Sequence, residues 1–413
     1  MINQAELHAN ALGMGFESTR TVFDLSSEGK SVFEALAKHT PQVREAFEAM
    51  QKNIPLPKTA AANVDGRFYR LPNHNRSFCY SLAESGSVAD SAVLVIKGSE
   101  PLLRDFPRML DWMLQAPLRR STRVMSDHFP LAEGKIPGAL SLREAMREAQ
   151  TALDVQKQHL VHYGELARIP VPLLVHSISE QRKDICADIL RNKLSLSAFD
   201  RIEPLLQKGL AIYVYYYPSP PIRANYQGDL STPQFRLFSE KTLDEGSTVS
   251  NWARLLIRLL YLGYLPYSVR NEGLGACVDF GNAALDGGFC DPDSIIEIDD
   301  RIDDEFFSES VIQTFKILQN TVERLLGLSD SSSLYPSIES FVCWQYIQKL
   351  LKAAVASEAR QNLHLDNRFR KLMAPEDVSD VRACTRRKNR VALYTYFAKR
   401  CVQDQHYSGD SDP

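Results

Sequence analysis

The chain has 413 residues, of which 44% are hydrophobic and 24% are charged, and its formal net charge at pH 7 is -3. This composition is typical of a globular chain of two or three domains and argues against disorder. A charge so close to zero provides no general cationic field, so neither nucleic acid nor a membrane is expected as a partner.

The cysteines and the apolar segments bear on the cellular compartment. The odd number of cysteines and the lack of a Cys-x-x-Cys pair argue against a disulfide framework and a structural zinc site. No apolar run has the length of a signal peptide core or a membrane span. We therefore expect a cytoplasmic protein. The seven cysteines are Cys79, Cys186, Cys277, Cys290, Cys343, Cys384 and Cys401.

The predicted elements change in character along the chain. Residues 1–60 are expected to form a helical N-terminal lead-in, with helical spacing from Ser31 to Met50. Residues 61–240 alternate short β patterns with helices, and residues 241–413 are mostly helical with a metal-binding loop. This division predicts an α+β fold. The strand candidates are 67–71, 77–83, 92–97, 171–177 and 211–217. The helix candidates beyond the lead-in are 101–115, 141–163, 252–262, 306–328, 338–356 and 378–402.

One short motif indicates phosphate chemistry. An apolar run from Ala276 leads into Asp279-Phe280-Gly281, which is how kinase-like enzymes present a carboxylate to a nucleotide-bound metal. Asn271 lies eight residues earlier and can supply a second hard oxygen ligand for Mg²⁺. The tripeptide is equally compatible with an ordinary turn at the end of a strand.

Three further residues have two interpretations each. Lys97 ends an apolar strand, where it is either a phosphate-binding lysine with a carboxylate partner or a solvated strand-end lysine, and local sequence favours the latter. Glu144 is a candidate partner, but Ser141-x-x-Glu144 also spells a capping box, which the spacing favours. Arg223 is either a phosphate ligand or a surface arginine.

The segments carrying these residues resemble the selenoprotein O family of kinase-like AMP transferases. The order and spelling of several segments are similar to the landmarks of that family, and the resemblance covers roughly residues 65–290. The matching segments are Val95-Ile96-Lys97-Gly98, Glu133-Gly134-Lys135, Ser141-Leu142-Arg143-Glu144, Ile169-Pro170, Pro218 to Arg223, and Gly263 through Asp286.

The resemblance implies a two-lobed protein-kinase-like fold that uses ATP and Mg²⁺ or Mn²⁺. Lys97 and Glu144 would pair, Lys135 and Arg223 would hold phosphates, and Asn271 and Asp279 would bind the metal. The expected reaction is AMP transfer to a hydroxyl group of a protein.

The catalytic loop departs from the family. The family has a catalytic aspartate and an asparagine where this chain has Arg270-Asn271. Asp279 and Glu272 are therefore the candidate catalytic residues, with Asp286 as another substitute for the missing base. Two alternatives remain open: phosphoryl transfer or carboxylate adenylation of a small metabolite, and a pseudokinase module that binds nucleotide without chemistry.

Overall fold

The structure of the chain is a computed structural model. The structure describes residues 19–52, 63–65, 68–69, 77–83, 92–98, 140–193, 196–222, 247–266, 284, 286–292 and 295–297. The predicted helices at 101–115, 306–328, 338–356 and 378–402 lie outside these residues, as do Lys135, Arg223, Asn271, Glu272 and Asp279.

The described elements combine helices with an antiparallel sheet, so the fold is α+β as predicted. The strands are β1 (Thr19–Asp24), β2 (Asn63–Asp65), β3 (Phe68–Tyr69), β4 (Ser77–Ser81), β5 (Val93–Lys97), β6 (Leu140–Ser141), β7 (Val171–Ile178), β8 (Leu210–Tyr217), β9 (Tyr264–Pro266) and β10 (Ile295–Glu297). The helices are α1 (Leu25–Glu28), α2 (Lys30–His39), α3 (Gln42–Lys52), α4 (Leu142–Tyr163), α5 (Glu180–Lys193), α6 (Leu196–Gln207) and α7 (Ser247–Tyr261).

The main sheet has the strand order β1-β7-β8-β5-β4-β3-β2, with β6 also paired to β8, and every pairing is antiparallel. All eight residues of β8 and all five of β5 are buried, because these two strands are central and covered on both faces. Strands β9 and β10 form a separate antiparallel pair.

The N-terminal segment belongs to the sheet as well as to the helical layer. Strand β1 precedes the helices and pairs with β7, which the prediction of a helical lead-in did not include. The helical pattern from Ser31 to Met50 forms two helices, α2 and α3. Pro41 lies between them, where a proline ring prevents a continuous helix.

Helix α4 covers one face of the sheet with a stripe of eight buried side chains, three of which are alanines. It begins at the Ser141 cap, whose hydroxyl accepts a hydrogen bond from the Glu144 N–H at 3.1 Å, and ends at Gly164 in the left-handed conformation. This cap agrees with the capping interpretation of Ser141-x-x-Glu144. The buried positions recur at helical spacing: Ala145, Glu148, Ala149, Ala152, Leu153, Val155, Gln156 and His159.

Helix α7 lies beyond the predicted boundary at residue 240, yet it packs against the elements before that boundary. One buried apolar cluster joins α4, the entry to β7, α7 and the β9–β10 pair. Its members are Val155, Ala167, Ile169, Leu255, Leu259, Tyr264, Phe289 and Ile295. Through this cluster, the segment around Phe289 packs against α4, α7 and the entry to β7. Among the described helices, none is both long and apolar enough to cross a membrane.

Candidate functional site

The centre of the candidate site is a buried ion cluster at the end of β5. The Lys97 ammonium donates hydrogen bonds to both carboxylate oxygens of Glu148, at 2.6 and 2.7 Å, and to Oδ1 of Asp291 at 2.8 Å. The three residues are no more than 5% exposed. Lys97 is therefore a buried and paired lysine, and the interpretation as a solvated strand-end lysine is wrong.

The carboxylate that receives Lys97 is one helical turn further along α4 than predicted. Glu144 was expected to pair with Lys97, but Glu148 makes the bidentate contact, and Glu144 lies in the first turn, where its N–H meets the Ser141 cap. The reason is helical phase. Glu148 lies within the buried stripe of α4, whereas Glu144 is only partly buried at the edge of that stripe.

The backbone conformation directly after Lys97 requires a glycine at position 98. Gly98 has φ +85°, a conformation that a residue with a side chain rarely adopts. An added Cβ would lie 2.9 Å from Leu140 Cβ and would overlap the Ala211 carbonyl oxygen. Directly after Lys97, Gly98 thus lies in close contact with both β6 and β8.

Strand β8 places a tyrosine beside the ion cluster. Tyr213 is the direct cross-strand partner of Lys97, so the two side chains lie on the same face of the sheet. Burial raises the pKa of the Tyr213 hydroxyl well above its usual range, and the charges of Glu148 and Asp291 add to that effect. The Tyr213 Oη is buried and has no hydrogen-bond partner among the described residues.

A second polar group lies five residues before Asp291. The Asp286 carboxylate accepts hydrogen bonds from Tyr217 Oη at 3.1 Å, from Ser219 Oγ at 2.8 Å and from the Gly288 N–H at 3.1 Å. Arg168 Nη1 lies 3.7 Å from the same carboxylate. Burial raises the pKa of Asp286, and these partners oppose the shift.

The main chain of this turn is held by the neighbouring elements. The Asp286 carbonyl oxygen accepts from Arg168 and Asn251, each at 3.3 Å, and the Gly288 carbonyl oxygen accepts from Trp252 Nε1 at 3.2 Å. We call residues Asp286–Gly288 the Asp286 turn. Because its side chain and main chain are both engaged, Asp286 is placed to position the segment that carries Asp291.

Substitution of Gly288 by alanine is expected to lower the free energy of unfolding by about 1–3 kcal/mol, because the added Cβ would overlap both Tyr217 Oη and the Arg168 carbonyl oxygen. Urea unfolding gives the measurement. Gly164→Ala is the control, since its Cβ would meet no atom of the described residues within 4 Å although φ is +71°. A cost for Gly288→Ala no greater than that of the control would contradict the close approach described here.

The sequence prediction included Lys97 but missed Glu148, Asp291 and Tyr213. A signal for Glu148 exists: it is the one acidic residue in a stripe of Ala145, Ala149 and Ala152, and a buried carboxylate needs a partner. Asp291 has no comparable local signal, because it is 194 residues from Lys97. Among the residues described here, no group of three or more histidine, cysteine or acidic side chains is arranged to hold a metal ion.

Comparison of the chain with protein-family models and with curated proteins finds no match. Conclusions about activity therefore depend on the geometry of Lys97, Glu148 and Asp291 and on the motif pattern of the sequence.

Proposed function

We propose that the protein is a kinase-like transferase that uses ATP with Mg²⁺ or Mn²⁺, and that its reaction is AMP transfer to a protein hydroxyl. The observation that carries the proposal is the buried Lys97–Glu148 pair, which joins the end of strand β5 to the long helix α4. In protein kinases a strand lysine that binds phosphate pairs with a glutamate of the following helix, and a loop aspartate binds the metal close by. Asp291 in contact with Lys97 adds support from a third segment.

The two-lobed arrangement is part of the proposal. The main sheet with α4 would form the N-lobe, and α7 with the β9–β10 pair would begin a mainly helical C-lobe. Lys135 and Arg223 would contact phosphates with Lys97, and Asn271 would contribute an oxygen to the metal. Two carboxylates are candidates for the remaining metal position. Asp279 is a candidate because it belongs to the Asp-Phe-Gly motif, and Asp291 is a candidate because it lies beside Lys97.

In the proposed reaction the acceptor hydroxyl oxygen bonds to the α-phosphorus of ATP. The bond from that phosphorus to the bridging oxygen breaks, and pyrophosphate leaves. The hydroxyl proton passes to a base, for which Glu272 is the candidate. Asp286 is less suited to that task, because its carboxylate already accepts three hydrogen bonds in the described structure. Positioning and charge stabilisation supply most of such catalysis, and a general base typically contributes about 10²- to 10⁴-fold.

Arg270 favours a second candidate function, a pseudokinase module, because it stands where the resembling family has its catalytic aspartate. The other alternative, phosphoryl transfer or carboxylate adenylation of a small metabolite, uses the same nucleotide site. The three candidate functions differ in which part of ATP is transferred, if any, and in whether a small metabolite must be present.

The proposal is tested with the full chain, ATP labelled at the α or the γ position, and Mg²⁺. We expect protein labelling from α-labelled ATP only. Labelling from γ-labelled ATP would indicate phosphoryl transfer, and consumption only with an added metabolite would indicate the small-molecule reaction. Thermal stabilisation by Mg²⁺-ATP without consumption would indicate the pseudokinase, since ligand at 100 times its Kd adds about 2.7 kcal/mol.

Lys97→Arg is expected to weaken ATP binding at least tenfold while keeping a cation beside Glu148, because the planar guanidinium does not reproduce the compact ammonium. Lys208→Arg makes the same change at an exposed position and should leave ATP binding unchanged. Equal ATP affinities of the two variants, measured by calorimetry, would remove Lys97 from the nucleotide site.

A further inference from the structure

We propose that Asp291, rather than Asp279, supplies the carboxylate that holds the divalent cation of the bound nucleotide. This inference rests on the proposed function and names the residue that completes its metal position. Asp291 precedes Pro292 and lies outside the Asp-Phe-Gly motif by which the sequence alone indicated Asp279.

Asp291 lies close enough to Lys97 to share a nucleotide with it. A phosphate-binding lysine and the metal both contact one triphosphate, so the carboxylate that holds the metal must lie close to the ammonium. Asp291 Oδ1 is 2.8 Å from Lys97 Nζ. A cation held by the Asp291 carboxylate would therefore lie near that ammonium, where both could contact one triphosphate.

The two carboxylates contact the lysine in different ways. Glu148 contacts the ammonium through both oxygens and belongs to the rigid helix α4, whereas Asp291 contacts it through Oδ1. Glu148 thus acts as the structural partner of Lys97. A contact through one oxygen is the simpler one to adapt when a cation and a phosphate approach the same lysine.

Tyr213 provides an independent observation at the same place. Its hydroxyl is fully buried, lies on the same sheet face as Lys97, and has no hydrogen-bond partner in the part of the chain that the structure describes. A buried hydroxyl without a partner costs about 1–3 kcal/mol. A phosphate oxygen, or a water molecule carried by the cation, is an acceptor that would satisfy this hydroxyl next to Glu148 and Asp291.

The Asp286 turn supplies the rigidity that a metal ligand needs. The Gly288 N–H closes the turn on the Asp286 carboxylate, and two further hydrogen bonds to that carboxylate and three to the main chain hold the turn against the end of β8, the entry to β7 and α7. Phe289 is then buried in the apolar cluster that joins α4 and α7. Asp291 follows two residues later, so its approach to Lys97 is fixed from both the polar and the apolar side.

The test compares Asp291→Asn with Asp279→Asn in the full chain, with Mn²⁺ as the probe. Both substitutions remove one charge with little change in volume, and Asp184→Asn, an exposed change on α5, is the control. Mn²⁺ binding is followed by electron paramagnetic resonance with and without ATP, and thermal stabilisation is measured with ATP, Mg²⁺ and both together.

We expect Asp291→Asn to weaken ATP-dependent Mn²⁺ binding at least tenfold and to lose the Mg²⁺-dependent part of the thermal stabilisation. The Asp184→Asn control should stay within threefold of the unmodified chain, and Asp279→Asn should weaken this binding less than Asp291→Asn does. Loss in Asp279→Asn alone, or equal loss in both variants, would overturn the inference and leave the proposed function intact. An unmodified chain that binds neither ATP nor Mn²⁺-ATP would overturn both.

A second variant, Asp291→Glu, tests the assignment if Asp291→Asn does not fold. Asp291→Glu keeps the negative charge beside Lys97 but moves the carboxylate by one methylene. We expect it to fold and to bind Mn²⁺-ATP at least tenfold more weakly than the unmodified chain, because small divalent cations demand near-ideal ligand geometry. Unchanged Mn²⁺-ATP binding in this variant would also overturn the assignment.

Discussion

Replacement of Lys97 by methionine is expected to lower the free energy of unfolding by roughly 3–5 kcal/mol, because it leaves the buried carboxylates of Glu148 and Asp291 without their shared ammonium. Removal of one partner from a buried ion pair is far more costly than the pair itself is stabilising. Urea unfolding followed by circular dichroism gives the midpoint and the slope from which the loss is obtained.

Two variants serve as controls for this prediction. Lys208→Met removes an exposed lysine and should change stability by no more than about 0.5 kcal/mol. Lys97→Met combined with Glu148→Gln should recover part of the loss, because one of the two uncompensated charges is then removed. A Lys97→Met chain as stable as the Lys208→Met chain would show that the ion cluster is not buried as described.

Acidification from about pH 6.5 to pH 4 is expected to remove roughly 3 kcal/mol of stability for each of two buried histidines. Burial lowers the pKa of His159 and of His176 to about 4, from an ordinary value of 6.5. Both are therefore neutral in the folded chain while the unfolded chain takes up protons. Their contribution is present above pH 6.5 and is lost as the pH falls through this window.

The groups around each histidine set the size of the effect. The Glu165 carbonyl oxygen accepts from His159 Nδ1 at 2.7 Å, and Glu165 and Arg258 oppose each other in charge beside that ring. At His176 the charge of Asp24 acts against the effect of burial. His159→Asn keeps a donor near the Nδ1 position and should flatten the pH dependence by about half. An unchanged slope in this variant would contradict the assignment to His159.

The regular elements of the sheet could be predicted from local patterns because their causes are local. The strand candidates at 77–83, 92–97, 171–177 and 211–217 correspond to β4, β5, β7 and β8, which are rich in β-branched and aromatic residues. Helix α4 agrees with its predicted range of 141–163, since Ser141 and Gly164 are residue types that favour the beginning and the end of a helix. Strand β1 was missed because its partner β7 lies about 150 residues further along the chain.

The site was predicted in part, for a related reason. The position of Lys97 at a strand end is a local fact, and it indicated a paired lysine only when combined with other motifs. The choice between Glu144 and Glu148 depends on which face of α4 turns toward the sheet, and that is decided by packing. The contact of Asp291 with Lys97 depends on tertiary structure alone, because the Asp286 turn and Phe289 bring Asp291 to Lys97 from a distant segment.

The separation of 194 residues between Lys97 and Asp291 has a consequence for the order of events during synthesis. At a typical elongation rate of 5–20 residues per second, about 10 to 40 seconds pass between the appearance of the lysine and of its second carboxylate at the ribosome. Strand β5 and helix α4 can meet in that interval, whereas the completed cluster must wait for the later segment. A nascent chain arrested before residue 291 would therefore be more open to protease near β5 than the finished protein.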